Sequence, residues 1–92
     1  MRIIGEVEHK KYKISVFKSG EKTILQIEDG LNEQLYKFRY GECVYDVESA
    51  KAFTDEKFLE GVESIFENMK LLKSQTVRSI IEKTVPDLPV II

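Results

Sequence analysis

The sequence predicts a two-layer α+β fold, a five-stranded antiparallel β-meander covered on one face by two C-terminal helices in the order βββββαα. Two observations carry this expectation. Residues 54–74 place their apolar side chains on one helical stripe, and residues 2–47 alternate so that five successive strands agree on a single buried face. A helix with one apolar stripe needs a surface to lie on, and a sheet with one apolar face needs a cover.

The first hairpin pairs residues 2–8 with 11–18 across a turn at His9-Lys10. In this pairing Val7 faces Tyr12, Gly5 faces Ile14 and Ile3 faces Val16, while Glu8 meets Lys11 and Glu6 meets Lys13 on the other side. Ser19-Gly20 is the next turn signal, setting Val16 against Thr23, Ile14 against Leu25 and Tyr12 against Ile27. A loop over 30–33 then brings Ile27 to Tyr36, Leu25 to Phe38 and Thr23 to Tyr40. Gly41-Glu42 turns into a fifth strand, with Cys43, Tyr45 and Val47 facing Tyr40, Phe38 and Tyr36. The reverse face carries the row Glu6, Lys13, Gln26, Lys37 and Asp46, a pattern suited to water.

After a connector over 48–53 comes the long helix, about 54–73. At 100° per residue Phe58, Leu59, Val62, Ile65, Phe66, Met69 and Leu72 fall within roughly 140° of arc. Thr54 suits the N-cap, Asp55 and Glu56 suit the positive end of the dipole, Lys70 and Lys73 the negative end, and Ser74 the stop. A second helix is expected over about 75–85, with Val77, Ile80, Ile81 and Val85 on one side. Pro86 ends it, and 86–92 is expected as an extended tail. The chain of 92 residues therefore reads as one compact domain.

The composition excludes several classes of function. With 33% charged and 42% hydrophobic residues the chain has the balance of a folded domain, not of a disordered one. No apolar run approaches membrane-spanning length, and Gly5, Glu6 and Glu8 interrupt any signal-peptide core. The single cysteine, Cys43, cannot form an internal disulfide, which points to a reducing, cytoplasmic setting. Net charge is −2, with the acid concentrated between Glu42 and Glu67.

The chemistry-bearing residues are few. Cys43 and His9 are the sole members of their kinds, and the strand register separates them and buries Cys43 as a small hydrophobe. One His and one Cys, with no paired metal-ligand spacing, assemble no metal site, and no glycine-rich phosphate loop or nucleophile elbow occurs. No cofactor and no enzymatic activity are therefore expected. Glu56, Glu60, Glu63 and Glu67 share a ridge of the long helix, as a solvated face does. Tyr36, Phe38 and Tyr40 interleave with Lys37 and Arg39 as in an RNA-binding strand, but their face is the one the helices cover.

What remains is apolar surface outside the core. Ile4, Phe17, Ile24 and Val44 project from the reverse face, Leu71 points away from the helix stripe, and Val90, Ile91 and Ile92 form a β-prone tail. These eight residues are the candidate interaction surface. They favour a small non-enzymatic protein-interaction domain that binds a protein partner or itself as a homodimer, through the reverse face, a sheet edge or the tail. The alternative is weak nucleic-acid binding through the lysine-rich first hairpin, Lys10, Lys11 and Lys13, a reading that Glu6, Glu8, Glu28 and Asp46 weaken by sitting among the lysines.

Overall fold

The computed structural model describes residues 1–84, so the expected tail over 86–92 lies outside the described residues, as does Val85. Four strands, not five, form one antiparallel meander: β1 (Arg2–Val7), β2 (Lys13–Ser19), β3 (Lys22–Asp29) and β4 (Asn32–Phe38). Two helices follow, α1 (Val47–Phe53) and α2 (Glu56–Thr84). The α+β class and the single antiparallel sheet stand as expected.

The registers of β2–β3 and β3–β4 are each offset by two residues from the expected ones. Ile14 pairs with Ile27, Val16 with Leu25, Leu25 with Tyr36 and Thr23 with Phe38. An offset of two preserves which face each side chain occupies, so Ile14, Val16, Leu25, Ile27 and Phe38 are still the core. The turns explain the offset. Ser19 pairs with Lys22 and Asp29 with Asn32, leaving the two-residue loops Gly20-Glu21 and Gly30-Leu31. Gly20 and Gly30 have φ of +63° and +65°, and no non-glycine among the described residues has positive φ, so each loop has positive φ at its first central position alone, as a type II′ hairpin turn requires.

In β1 the register breaks between Ile3 and Gly5, a β-bulge at Ile4. Ile3 pairs with Phe17 and Gly5 with Val16, so Ile4 turns inward and packs against the core while Ile3 is left on the reverse face. The expected charge pairs Glu8–Lys11 and Glu6–Lys13 do not form, since Glu6 lies opposite Ser15 and Lys11 reaches Glu63 instead.

The fifth strand is absent because a helix start outcompetes it. The Asp46 carboxylate accepts the Ser49 backbone N–H at 2.8 Å and the Ser49 hydroxyl at 2.7 Å, while Ser49 Oγ accepts the Asp46 N–H at 3.0 Å. This reciprocal cap commits the chain to α1 at Val47. The preceding turn at Gly41, φ +91°, inverts the expected facing. Val44 is buried, whereas Tyr40, Cys43 and Tyr45 are exposed. The hydrogen bonds from Ser49, above all from its backbone N–H, hold the Asp46 carboxyl below its ordinary pKa. Its contribution to stability is therefore complete above the ordinary carboxylate range and lost as pH falls from that range through the lowered folded value. Asp46→Asn keeps a capping oxygen but cannot titrate, and is expected to flatten the acid-side fall in Tm measured by circular dichroism.

The two expected helices over 54–85 are one. Thr54 closes α1, its hydroxyl donating to the Ala50 carbonyl, and Asp55 rather than Thr54 caps α2 by accepting the Phe58 N–H at 2.8 Å. Ser74 does not stop the helix, because neither Gly nor Pro follows before Pro86. Thr76 returns its hydroxyl to the Leu72 carbonyl and stays helical.

The helices lie side by side on one face, α1 against β1 and α2 along β4. Phe66 and Val62 seat in the core, and Gln34 ties sheet to helix by donating to the Val62 carbonyl at 3.0 Å. Gln34 in turn accepts the Tyr36 hydroxyl, whose pKa burial pushes up.

Candidate interaction surface

Helix α2 is longer than the sheet beneath it. Its 29 residues span about 43 Å, whereas β4 spans about 23 Å. The helix leaves the sheet at Lys70, which pairs with Asp29 at 3.1 Å beside the β3–β4 turn. From Lys70 to Lys83 every residue except Ile81 is exposed. The molecule is accordingly elongated, 55 × 28 × 18 Å.

The apolar stripe does not end where the sheet does. Met69 is the last residue of α2 packed against the core, yet Leu72, Val77 and Ile80 continue on the projecting arm, 67%, 47% and 54% exposed. Below the arm a notch of ≈ 510 Å³ opens between Leu31 and Asn32 of the hairpin turn and Lys73, Ser74 and Val77 of the helix. Leu31, at the turn tip, is 89% exposed. Leu31 and Val77 give the notch its apolar wall, and Lys73 and the Lys70–Asp29 pair flank it.

A second corner lies at the start of β2. His9 Nδ1 accepts the N–H groups of Lys11 and Tyr12, and its ring stacks on Tyr12 at 5.3 Å. Lys11 spans from this loop to Glu63 at 3.0 Å, which raises its pKa. The most strongly positioned lysine of the first hairpin is thus engaged with the acidic ridge of α2. The Tyr12 hydroxyl is buried without a hydrogen-bond partner among the described residues. No group of three or more His, Cys, Asp or Glu able to hold a metal occurs among them, and no helix of the described chain is long and apolar enough to cross a membrane.

Of the residues expected to form the interaction surface, Leu71 is on the arm and exposed. Phe17 is half-buried on the reverse face. Three expectations fail: Ile4 packs against the core by way of the bulge, Val44 is buried in it, and Ile24 is buried on the reverse face between its cross-strand neighbours Phe17 and Lys37. Val90, Ile91 and Ile92 lie outside the described residues. The expected reverse-face row is replaced by Glu6, Ser15, Gln26 and Leu35, as the register offset dictates.

Sequence reasoning missed Leu31, Leu72 and Val77 as surface, whereas Leu35, expected on the reverse face, stands there 54% exposed. Leu72 fell on the core stripe and was assigned to the core. The signal that finds it is length, since an uninterrupted helix from 56 to 84 outruns any strand of seven or eight residues. Comparison with protein-family models, with curated proteins and with solved structures finds no match to this chain.

Proposed function

We propose that the chain is a small, non-enzymatic protein-interaction domain, working in the cytoplasm, whose contact element is the projecting half of α2. The observation that carries this reading is the continuation of the apolar stripe past the sheet, with Leu72 and Val77 standing in solvent above the Leu31 notch. An apolar stripe along a helix is recognised through side chains three and four residues apart, and Leu72, Thr76 and Ile80 follow one another at intervals of four, with Val77 three before Ile80. Isolated exposed leucines mean little, but a row of them with an adjoining apolar notch is a binding surface.

A photoreactive benzoylphenylalanine placed at Leu72 in the cell is expected to give a discrete protein adduct on irradiation. The same probe at Lys22, an exposed position next to the β2–β3 turn, is the control. If the two positions give the same diffuse background, the arm is not a contact element.

A further inference from the structure

The missing fifth strand leaves β4 as an open edge among the described residues. After Phe38 the chain crosses toward β1, where Val47 lies against Gly5, and no described residue returns as a strand beside β4. Which backbone groups this exposes follows from the turn. In a two-residue hairpin the closing pair, Asp29 and Asn32, exchanges both hydrogen bonds, so in β4 the even residues bond to β3 and the odd ones point outward. Glu33, Leu35 and Lys37 therefore present unpaired N–H and C=O groups along the edge. Their side chains all stand on the reverse face, opposite Glu28, Gln26 and Ile24.

Charges on an edge strand ordinarily discourage pairing. Here their placement does the opposite for one partner. Glu33 and Lys37 lie two residues either side of Leu35, and neither is in an ion pair among the described residues. Antiparallel pairing of β4 with another β4, centred on Leu35, sets Leu35 against Leu35, Glu33 against Lys37, and Lys37 against Glu33. All three outward-facing residues of each strand then complete their backbone hydrogen bonds. Moving the centre to Glu33 or to Lys37 would set like charges opposite each other, and moving it by half that step would pair Leu35 with a charge. Leu35 is 54% exposed in the single chain, and Glu33 sits unfavourably opposite Glu28. The pairing covers the first and brings a lysine to the second.

The helix layer fits the same two-fold. Tyr36 meets Phe58 at 5.3 Å and Gln34 bonds Val62, so α2 follows β4. Glu63 and Lys70 turn toward Lys11 and Asp29, on the β2–β3 side. Ile65, about 150° around the helix from them, faces away from that side and is 45% exposed. A two-fold axis at Leu35 directs this flank toward its own copy.

We propose that β4 pairs with β4 of a second copy of this chain, about a two-fold axis at Leu35, to give a continuous eight-stranded sheet. The contact is isologous, one patch meeting itself. It is a strip about 23 Å long and two layers deep, at the small end of specific interfaces, so the dimer is weak, with micromolar dissociation. It is separate from the arm, and the test keeps the two apart.

The experiment is sedimentation equilibrium of the full chain over a concentration series, with circular dichroism confirming the fold of each variant. Wild type is expected to move from 10.7 kDa to twice that mass. Glu33→Lys alone, or Lys37→Glu alone, sets like charges together at both ends of the pairing and is expected to weaken the dimer about tenfold. The double exchange, Glu33→Lys with Lys37→Glu, is expected to restore it. Leu72→Lys on the arm is expected to leave it unchanged. A wild type that stays monomeric at millimolar concentration overturns the proposal. So does a dimer that the single reversals do not weaken, or one that the double exchange does not restore. A dimer abolished by Leu72→Lys would place the contact on the arm instead.

Discussion

Replacing Phe66 by alanine is expected to lower Tm by roughly 15–30 °C, the largest loss from any single truncation in α2. Phe66 is 1% exposed and lies against Tyr12, ring centroids 5.6 Å apart, in the middle of the core cluster. Removing a buried phenylalanine loses its transfer free energy and leaves a cavity that the strands cannot close, about 3–5 kcal/mol together. A domain of this size has only about 5–15 kcal/mol in total. Few other anchors compensate, because α2 meets the core only through the stretch from Phe58 to Met69. Thermal melts of wild type and Phe66→Ala decide the matter. A shift of only a few degrees would mean that α2 is not what covers the sheet.

The second large effect is expected from the smallest possible addition. A Cβ on Gly5 would stand 2.6 Å from Cγ2 of Val47, with Val47 Cγ1 and Cβ also within 3.6 Å. The backbone at Gly5 needs no left-handed conformation, so the obstacle is contact alone. Val47 is β-branched and opens α1, so turning one methyl away brings another in. Gly5→Ala is expected to cost about 1–3 kcal/mol as β1 and α1 separate. Val47→Ala in the same chain should return much of it, although alone it only weakens packing. Urea midpoints of the four chains give the coupling free energy, expected above about 1 kcal/mol in favour of the pair of small residues. Additive effects would remove the close approach as the reason for glycine here.

These two sites show what the sequence could and could not convey. Alternation of side chains told which face of β2, β3 and β4 is buried, and Ile14, Val16, Leu25, Ile27 and Phe38 are where it put them. Alternation is silent about an offset of two residues, which leaves every face unchanged. Only the turn decides that offset, and Gly20 and Gly30 decide it by taking the first position of a two-residue loop. In β1 the bulge at Ile4 adds an odd residue, and there alternation misleads outright, exchanging Ile3 and Ile4 between faces. The fifth strand failed to form although Cys43, Tyr45 and Val47 alternate correctly. A local hydrogen-bonded cap between Asp46 and Ser49 needs no distant partner, whereas a fifth strand needs all of β4. The candidate surface on the projecting half of α2 was the least legible part, because an apolar stripe states that a helix side is apolar and not how far its cover extends.

The meander has a consequence for how the chain reaches this structure. Spatial order and chain order of the strands are the same, β1-β2-β3-β4. Each pairing therefore closes over a neighbouring segment, across two residues at Gly20-Glu21 and at Gly30-Leu31. Loop-closure entropy is small for such steps, and folding rates rise as contacting residues lie closer along the chain. The β2–β3 and β3–β4 hairpins can zip from their glycine turns before any helix is in place. Docking of α1 onto β1 and of α2 along β4 is then the slow, long-range event, since it joins Val62 to Gln34, 28 residues away, and Phe66 to the still more distant Tyr12. During that interval the sheet stands with its apolar face open, and the synthesis order, strands first and helices last, makes the interval longest on the ribosome.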